Sequence, residues 1–195
     1  MKHLLHGDDG LQGLLDAELR DRIGASFMGY TWHDSVPEQK AFGHRGNRPT
    51  DNEAHDDNFG AAYSLNISVL DYARFVRFLI EEHAAGSATA TEMLAIQTSL
   101  PAEQGELHRS LGFPVERTDR GVRYYHSGNN GDFRAYVHFH ADQGDGIVLL
   151  SNSDRFFSSG LAQRIVELLG DAWFRVGGKP RRTRNGECAA WTHEP

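Results

Sequence analysis

A β-type run, Tyr124-Tyr125-His126-Ser127, meets Gly128-Asn129-Asn130-Gly131 and resumes as Asp132 to Tyr136, with Phe133, Ala135, Val137 and Phe139 alternating. Period-two alternation on the far side of a glycine and asparagine bend specifies an antiparallel hairpin. The bend is expected at Asn129-Asn130-Gly131, because Asn and Gly adopt positive φ at little cost. Small polar residues at such a bend expose backbone, so this corner is the first candidate for a ligand-binding edge.

Around the hairpin the chain alternates helical and extended patterns. Leu11, Leu14, Leu15, Leu19 and Ile23 recur at helical spacing, and Gly24 ends that segment. Ser26 to Trp32 reads as a short strand or extended edge. From Asp34 to Phe59 the pattern dissolves into glycine, proline and polar residues, which suggests a functional loop or wall over a site. Ser68-Val69-Leu70-Asp71 is a capping box, and it opens a helix with Val69, Tyr72, Ala73, Val76, Leu79 and Ile80 as its buried stripe. Gly86 ends this helix. A shorter helix is expected over Thr91 to Gln97, closed by Pro101.

Downstream, Leu111 to Val115 reads as a strand that turns at Asp119-Arg120-Gly121 into the hairpin. Gly144-Asp145-Gly146 turns into a buried strand, Ile147 to Ser151, and Leu161 to Val176 reads as a helix with Leu161, Ile165, Leu168, Leu169 and Trp173 on one face. Antiparallel strands followed by a packing helix make an α+β fold with a small antiparallel sheet packed by helices. Three or four strong strands, all after residue 110, leave an exposed sheet edge that invites strand addition or a homodimer.

Composition narrows the function. With 195 residues and 39% of them hydrophobic, the chain supports one core, expected over residues 1–176, with 177–195 as a flexible basic tail around Lys179, Arg181, Arg182 and Arg184. A net charge of -7 argues against a nucleic-acid partner. Cys188, the one cysteine, rules out an internal disulfide and thiolate-rich metal sites. No apolar run is long enough for a signal peptide or a membrane span, so a cytoplasmic, membrane-free product is expected.

Two stretches carry a family resemblance. Phe59-Gly60-Ala61-Ala62-Tyr63 leads through Ser68 into the helix with Asp71-Tyr72-Ala73-Arg74-Phe75, and His126-Ser127-Gly128 precedes Gly144-Asp145-Gly146 and Val148-Leu149-Leu150-Ser151-Asn152-Ser153-Asp154. Together they resemble the C-terminal half of the serine β-lactamase and penicillin-binding protein superfamily, closest to the class C-like esterase and D-aminopeptidase branch, over roughly residues 11 to 175. The resemblance implies a β-lactamase/transpeptidase-like fold and amide or ester hydrolysis through an acyl-serine, without metal or organic cofactor. It implies catalytic-strand roles for His126, Ser127 and Gly128, with substrate binding at Asn129 and Asn130. The Asn129 N–H would donate to the oxyanion, and Gly128 would let backbone approach the acyl group.

The family's nucleophile element departs from this pattern. No serine is followed three positions later by lysine, and the only lysines are Lys2, Lys40 and Lys179. Tyr63-Ser64-Leu65-Asn66 has the wrong spacing for the Tyr-x-Asn element. The resemblance therefore implies a truncated hydrolase whose N-terminal half lies elsewhere, inactive alone because an activated serine needs its base. Complemented, it would take a small amide, ester or peptide substrate. The alternative is a noncatalytic ligand-binding or dimerising module that keeps the cleft wall.

A third reading is a metal-dependent hydrolase built on the histidines. His138 and His140 project from one strand face, with Asp142 near in sequence as a third ligand. Alternation accounts for them as well, with Phe139 inward and both histidines facing solvent, and no metal is expected. His44, His55, Asp56 and Asp57 read as a solvated loop. Phe156-Phe157 reads as a staple onto the core, and Asn152 and Asp154 as turn and cap residues.

Overall fold

The structure is a computed structural model that describes residues 10–30, 40–50, 61–99 and 107–173. Pro101, His55, Asp56, Asp57, the ends of the Asp34 to Phe59 loop and the 177–195 tail lie outside the described residues. Helix α1 (Leu11–Leu15) runs through one π-helical stretch, Asp16–Arg20, into α2 (Asp21–Ile23), and Gly24 closes it at φ 63°. No residue of this first segment is buried.

Strand β1 (Met28–Gly29) follows. The expected irregular loop contains order of its own. Strands β2 (His44–Arg45) and β3 (Arg48–Pro49) pair around Gly46 and Asn47, whose φ of 55° and 70° make the tight turn that joins them. Strand β4 (Asn66–Ile67) then pairs antiparallel with β1.

The capping box forms as the sequence suggests. Helix α3 (Val69–Ala84) starts at Ser68, whose Oγ accepts the Asp71 N–H at 3.1 Å and donates to the Asp71 carboxylate at 2.9 Å. Val76, Leu79 and Ile80 are buried as expected, but Val69 is 51% exposed and Ala73 is also exposed, so the buried stripe is narrower than the pattern implied. Helix α4 (Ala88–Leu94) begins and ends about a turn earlier than expected. Its last apolar residue, Leu94, is buried, and beyond Ala95 the chain turns extended so that the Gln97 N–H donates to the Arg109 carbonyl.

The sheet is larger than expected. Strands β5 (Thr98–Ser99), β6 (Leu107–Arg109), β7 (Pro114–Thr118), β8 (Gly121–Asn130), β9 (Phe133–His140) and β10 (Asp145–Ser151) form one six-stranded antiparallel meander in the order β10-β9-β8-β7-β6-β5. Two- and three-residue strands such as β5 and β6 are too short to show alternation, which is why the pattern missed them. The residues Leu111 and Gly112, expected in a strand, instead make a tight turn with Gly112 at φ 96° and the Ser110 N–H on the Phe113 carbonyl.

One face of the sheet packs against α3 and α4. Phe113, Val115, Tyr124, Val137 and Phe139 meet Val76, Leu79, Ile80, Ala90 and Leu94 in a continuous core. Phe139 is fully buried, edge-on to Phe113 and stacked on Tyr124, with both ring centroids 5.2 Å away. Burial of such a ring contributes roughly 1.5–3 kcal/mol. Gly146 is opposite Phe139, and a Cβ there would lie 2.6 Å from the His138 carbonyl oxygen, so the approach of β10 to β9 at this point needs a glycine.

Helix α5 (Leu161–Leu168) stops well short of Val176. Gly170 takes φ 84°, the Gly170 N–H bonds the Glu167 carbonyl and the Asp171 N–H bonds the Val166 carbonyl. That pair of bonds is a Schellman ending, and Gly170 is its sequence signal. The buried residues of α5 are Ala162 and Val166, whereas Leu161, Leu168 and Leu169 are exposed, contrary to the expected stripe. The released segment Asp171 to Trp173 instead lies on the second face of the sheet, where Trp173 meets the Tyr136 ring at 4.8 Å.

Candidate functional site

The hairpin of β8 and β9 carries the sequence-predicted site residues. Its register pairs Asn130 with Phe133, Gly128 with Ala135 and His126 with Val137. The bend is therefore one residue later than expected, at Gly131-Asp132, and Asn129 and Asn130 are strand residues. The cause lies in the turn itself and in two contacts outside the hairpin. Gly131 supplies the positive φ, Asp132 is held by the Arg45 guanidinium at 2.9 Å, and Asn130 Nδ2 donates to the Tyr63 carbonyl at 3.0 Å.

A hairpin closed by two residues exchanges both backbone bonds at the pair flanking the turn, and bonded and non-bonded pairs then alternate. Asn130, Gly128 and His126 accordingly turn their N–H and C=O groups to β9. Ser127 and Asn129 turn theirs to the opposite edge. There β7 covers β8 only from Gly121 to Tyr124, and beyond Tyr124 no described strand pairs with that edge. The Asn129 N–H thus points from an edge left open among the described residues, and the Ser127 N–H and C=O sit two residues before it.

The side chains agree with this layout. His126, Ser127, Asn129 and Asn130 are exposed. By register His126 shares the sheet face of Val137, and Ser127 the face of Tyr136. Gly128 has no positive φ, and a Cβ there would meet only the Ala135 Cβ, at 3.5 Å, among the described residues. The described fold does not require glycine at this position.

Two clasps hold this corner. Thr50 and Arg45 hydrogen-bond Asp132, and these contacts keep its carboxyl below the usual carboxylate range. The same β2–β3 hairpin is tied to the end of β10, where the His44 N–H donates to the Asn152 carbonyl at 2.7 Å and the Asp154 N–H donates to the His44 carbonyl at 3.1 Å. Asn152 Nδ2 donates to the Phe42 carbonyl at 2.7 Å. Asn152 and Asp154 therefore anchor the loop rather than cap a turn of their own chain segment.

A second polar constellation lies on the other side of β9, and sequence reasoning misjudged it. His138 and His140 are not on a solvent face, since each is only 1% exposed. The sheet is covered on both faces, and Asp171, delivered by the Schellman ending of α5, closes over the two rings. Each Nε2 is 3.1 Å from the same Asp171 Oδ2. Asp142, the residue expected beside them, sits on the surface 3.4 Å from His83. Gly170 was the available signal that the chain would turn inward at Asp171.

Arg123 enters this cluster from β8, pairing with Glu116 and with Asp171 Oδ1 and donating to the Ala172 carbonyl. Arg120 bridges Asp145 and Asp171 Oδ2. Burial, reinforced by the Arg123 charge, pushes the His138 imidazole down to about 4, so the ring is neutral at pH 7. For Asp171 burial alone acts upward, but the two histidines and Arg123 outweigh it and hold the carboxyl below its ordinary value. Burial raises the Tyr136 phenol strongly, and its hydroxyl is 3.0 Å from His138 Nδ1.

A family model described as Beta-lactamase matches residues 2–170. The chain belongs to the beta-lactamase family. This agrees with the resemblance carried by the Phe59 to Phe75 and His126 to Asp154 stretches. Among solved structures, the beta-lactamase fold of this chain is similar to a beta-lactamase/D-alanine carboxypeptidase from Pseudomonas syringae, at 18% identity and TM-score 0.57, over 73% of this chain and 48% of that one. It is also similar to a class C beta-lactamase at 16% identity and TM-score 0.59, over 73% of this chain and 46% of that one. Another class C beta-lactamase structure matches at 15% identity and TM-score 0.58, over 73% of this chain and 47% of that one. The chain spans about half the length of these structures. No curated protein matches it. Among the described residues no helix is long and apolar enough to cross a membrane.

Proposed function

We propose that this beta-lactamase-family chain supplies the oxyanion-side wall of a serine hydrolase cleft and performs no acyl transfer by itself. The observation that carries the reading is the outer edge of β8, open among the described residues, with the Ser127 and Asn129 backbone groups directed away from β9. An acyl group laid along that edge meets the Asn129 N–H as a donor to its carbonyl oxygen, and extended substrate backbone adds to Ser127 as a further strand. Gly128 supports the same reading, because the described fold leaves its side-chain position unfilled. His126 contributes an exposed imidazole on the adjacent face.

Acyl transfer further needs a nucleophile with its base in hydrogen-bond reach. The sequence holds no Ser-x-x-Lys, so the serine and lysine of a complete site come from outside these 195 residues. The substrate class of such a site is an amide or ester, a β-lactam or an acylated peptide. A purely binding role uses the same edge without a nucleophile supplied from elsewhere.

The test is a titration of the ¹⁵N-labelled chain with a penicillin and with an N-acyl dipeptide, read by amide shifts. Saturable shifts centred on Ser127, Gly128 and Asn129 are expected. Shifts elsewhere, or none up to millimolar ligand, overturn the wall role.

A further inference from the structure

We propose that His138, His140 and Asp171 form a buried site for one divalent transition-metal ion of the zinc class, tying β9 to the segment behind α5. The site is independent of the hydrolase wall, since these side chains lie on the sheet face away from α3 and contribute nothing to the outer edge of β8.

Three donors converge there. The ligating atoms of the three residues all lie within 4.8 Å of one another, and all three residues are buried. Both imidazole Nε2 atoms aim at one carboxylate oxygen at 3.1 Å. Two ligands bonded at about 2.1 Å around a tetrahedral ion lie roughly 3.4 Å apart, so these contacts need to open by only a few tenths of an ångström to admit one. Imidazole and carboxylate together are the donor set of zinc and its first-row neighbours.

The proton count points the same way. The Val122 carbonyl, 3.1 Å from His140 Nδ1, can only accept, so that nitrogen carries the proton. With Nδ1 so committed, Nε2 is the ring atom left to meet Asp171 Oδ2, and that buried contact is closed either by a proton or by a metal ion between the two atoms. The Tyr136 hydroxyl on His138 Nδ1 is the outer partner that orients a ligating histidine.

The neighbouring charges leave room for the ion. Arg123 occupies Oδ1 of Asp171 at 3.3 Å, not Oδ2. Arg120 reaches Oδ2 at 2.8 Å, but its side chain is partly exposed and also holds Asp145, so it stays paired when it yields that oxygen. Glu116, Asp145 and Asp171 together outnumber Arg120 and Arg123 by one negative charge. The competing occupant is a single extra proton, which would make His140 an imidazolium and satisfy the same contacts.

The deciding experiment uses Co²⁺ and Zn²⁺ as probes on the full chain after chelator treatment. One Co²⁺ per chain should produce a saturable ligand-field band that Zn²⁺ abolishes, and Zn²⁺ should raise the melting temperature by mass action. His138→Gln and His140→Gln should each weaken binding by more than about 10-fold, while His83→Gln, outside the cluster, leaves it unchanged. In case the variants fail to fold, ¹⁵N spectra of the wild-type rings give a second reading. Zn²⁺ should move the Nε2 signals of His138 and His140 while His140 Nδ1 keeps its proton. Absence of a saturable band, or Co²⁺ binding that both variants retain, overturns the site and assigns the cluster to a bound proton.

Discussion

Asp71, inside the first turn of α3, accepts the Phe27 N–H at 2.7 Å, and the Ser68 N–H in turn donates to the Phe27 carbonyl at 2.9 Å. The helix cap is therefore also the joint between α3 and the chain beside β1. Asp71 is 1% exposed, so the carboxylate is a buried acceptor with three kinds of donor: Phe27 N–H, Ser68 hydroxyl and the Arg74 guanidinium at 2.6 Å.

Asp71→Ala should cost more than Ser68→Ala. The first takes the acceptor from the Phe27 amide and leaves the Arg74 guanidinium with only the Gly24 carbonyl, about 1–3 kcal/mol for such a loss. The second removes one cap bond, about 1 kcal/mol. Urea midpoints of the two variants against wild type measure the difference.

The same carboxylate makes a signed pH prediction. Burial on its own would raise the Asp71 pKa, but the Phe27, Ser68 and Arg74 bonds outweigh it and hold it low. A carboxyl depressed in the folded state adds stability above its unfolded pKa, about 3.9, and loses it as pH falls through the folded value. Acid unfolding of Asp71→Asn should therefore be less steep below about pH 4 than that of wild type. A parallel slope in both proteins would assign the acid sensitivity to other groups.

Gly146, in β10, and Gly128, in the site, should behave oppositely. Gly146→Ala places a methyl against the His138 carbonyl and the Phe139 Cβ, 2.6 and 2.7 Å away, and should destabilise by about 1–3 kcal/mol. Gly128→Ala meets only Ala135 at contact distance and should change stability by roughly 0.5 kcal/mol or less, while weakening ligand binding at the edge. Thermal melts and the amide titration separate the two effects.

Phe139→Ala removes the ring between Phe113 and Tyr124 at the centre of the core and should cost about 3–5 kcal/mol, read from chemical denaturation.

What was legible in the sequence followed from local chemistry. Ser68 and Asp71 announced a cap, Val76, Leu79 and Ile80 a buried stripe, and Phe133 to Phe139 a strand, because each pattern is set by neighbours within a turn or a pleat. The errors came from long-range contacts. Asn129-Asn130 looked like a bend until Asp132 found Arg45 and Asn130 found the Tyr63 carbonyl, which moved the turn to Gly131. His138 and His140 looked solvated because nothing nearby in sequence showed that Asp171 would cover them. The extra strands β5 and β6 were illegible for want of length.

Backbone exchange checks the layout of β8. His126, Gly128 and Asn130 amides point to β9 and should be protected, whereas Ser127 and Asn129 amides should exchange at least about tenfold faster. Uniform protection along the strand would mean that its outer edge is covered.

We propose that the cleft wall carries no acylable serine. Intact-mass spectrometry of the purified chain after incubation with a fluorophosphonate, and separately with a penicillin, tests it most directly. An unchanged mass is expected in both cases. A stoichiometric adduct on any serine of this chain would contradict it.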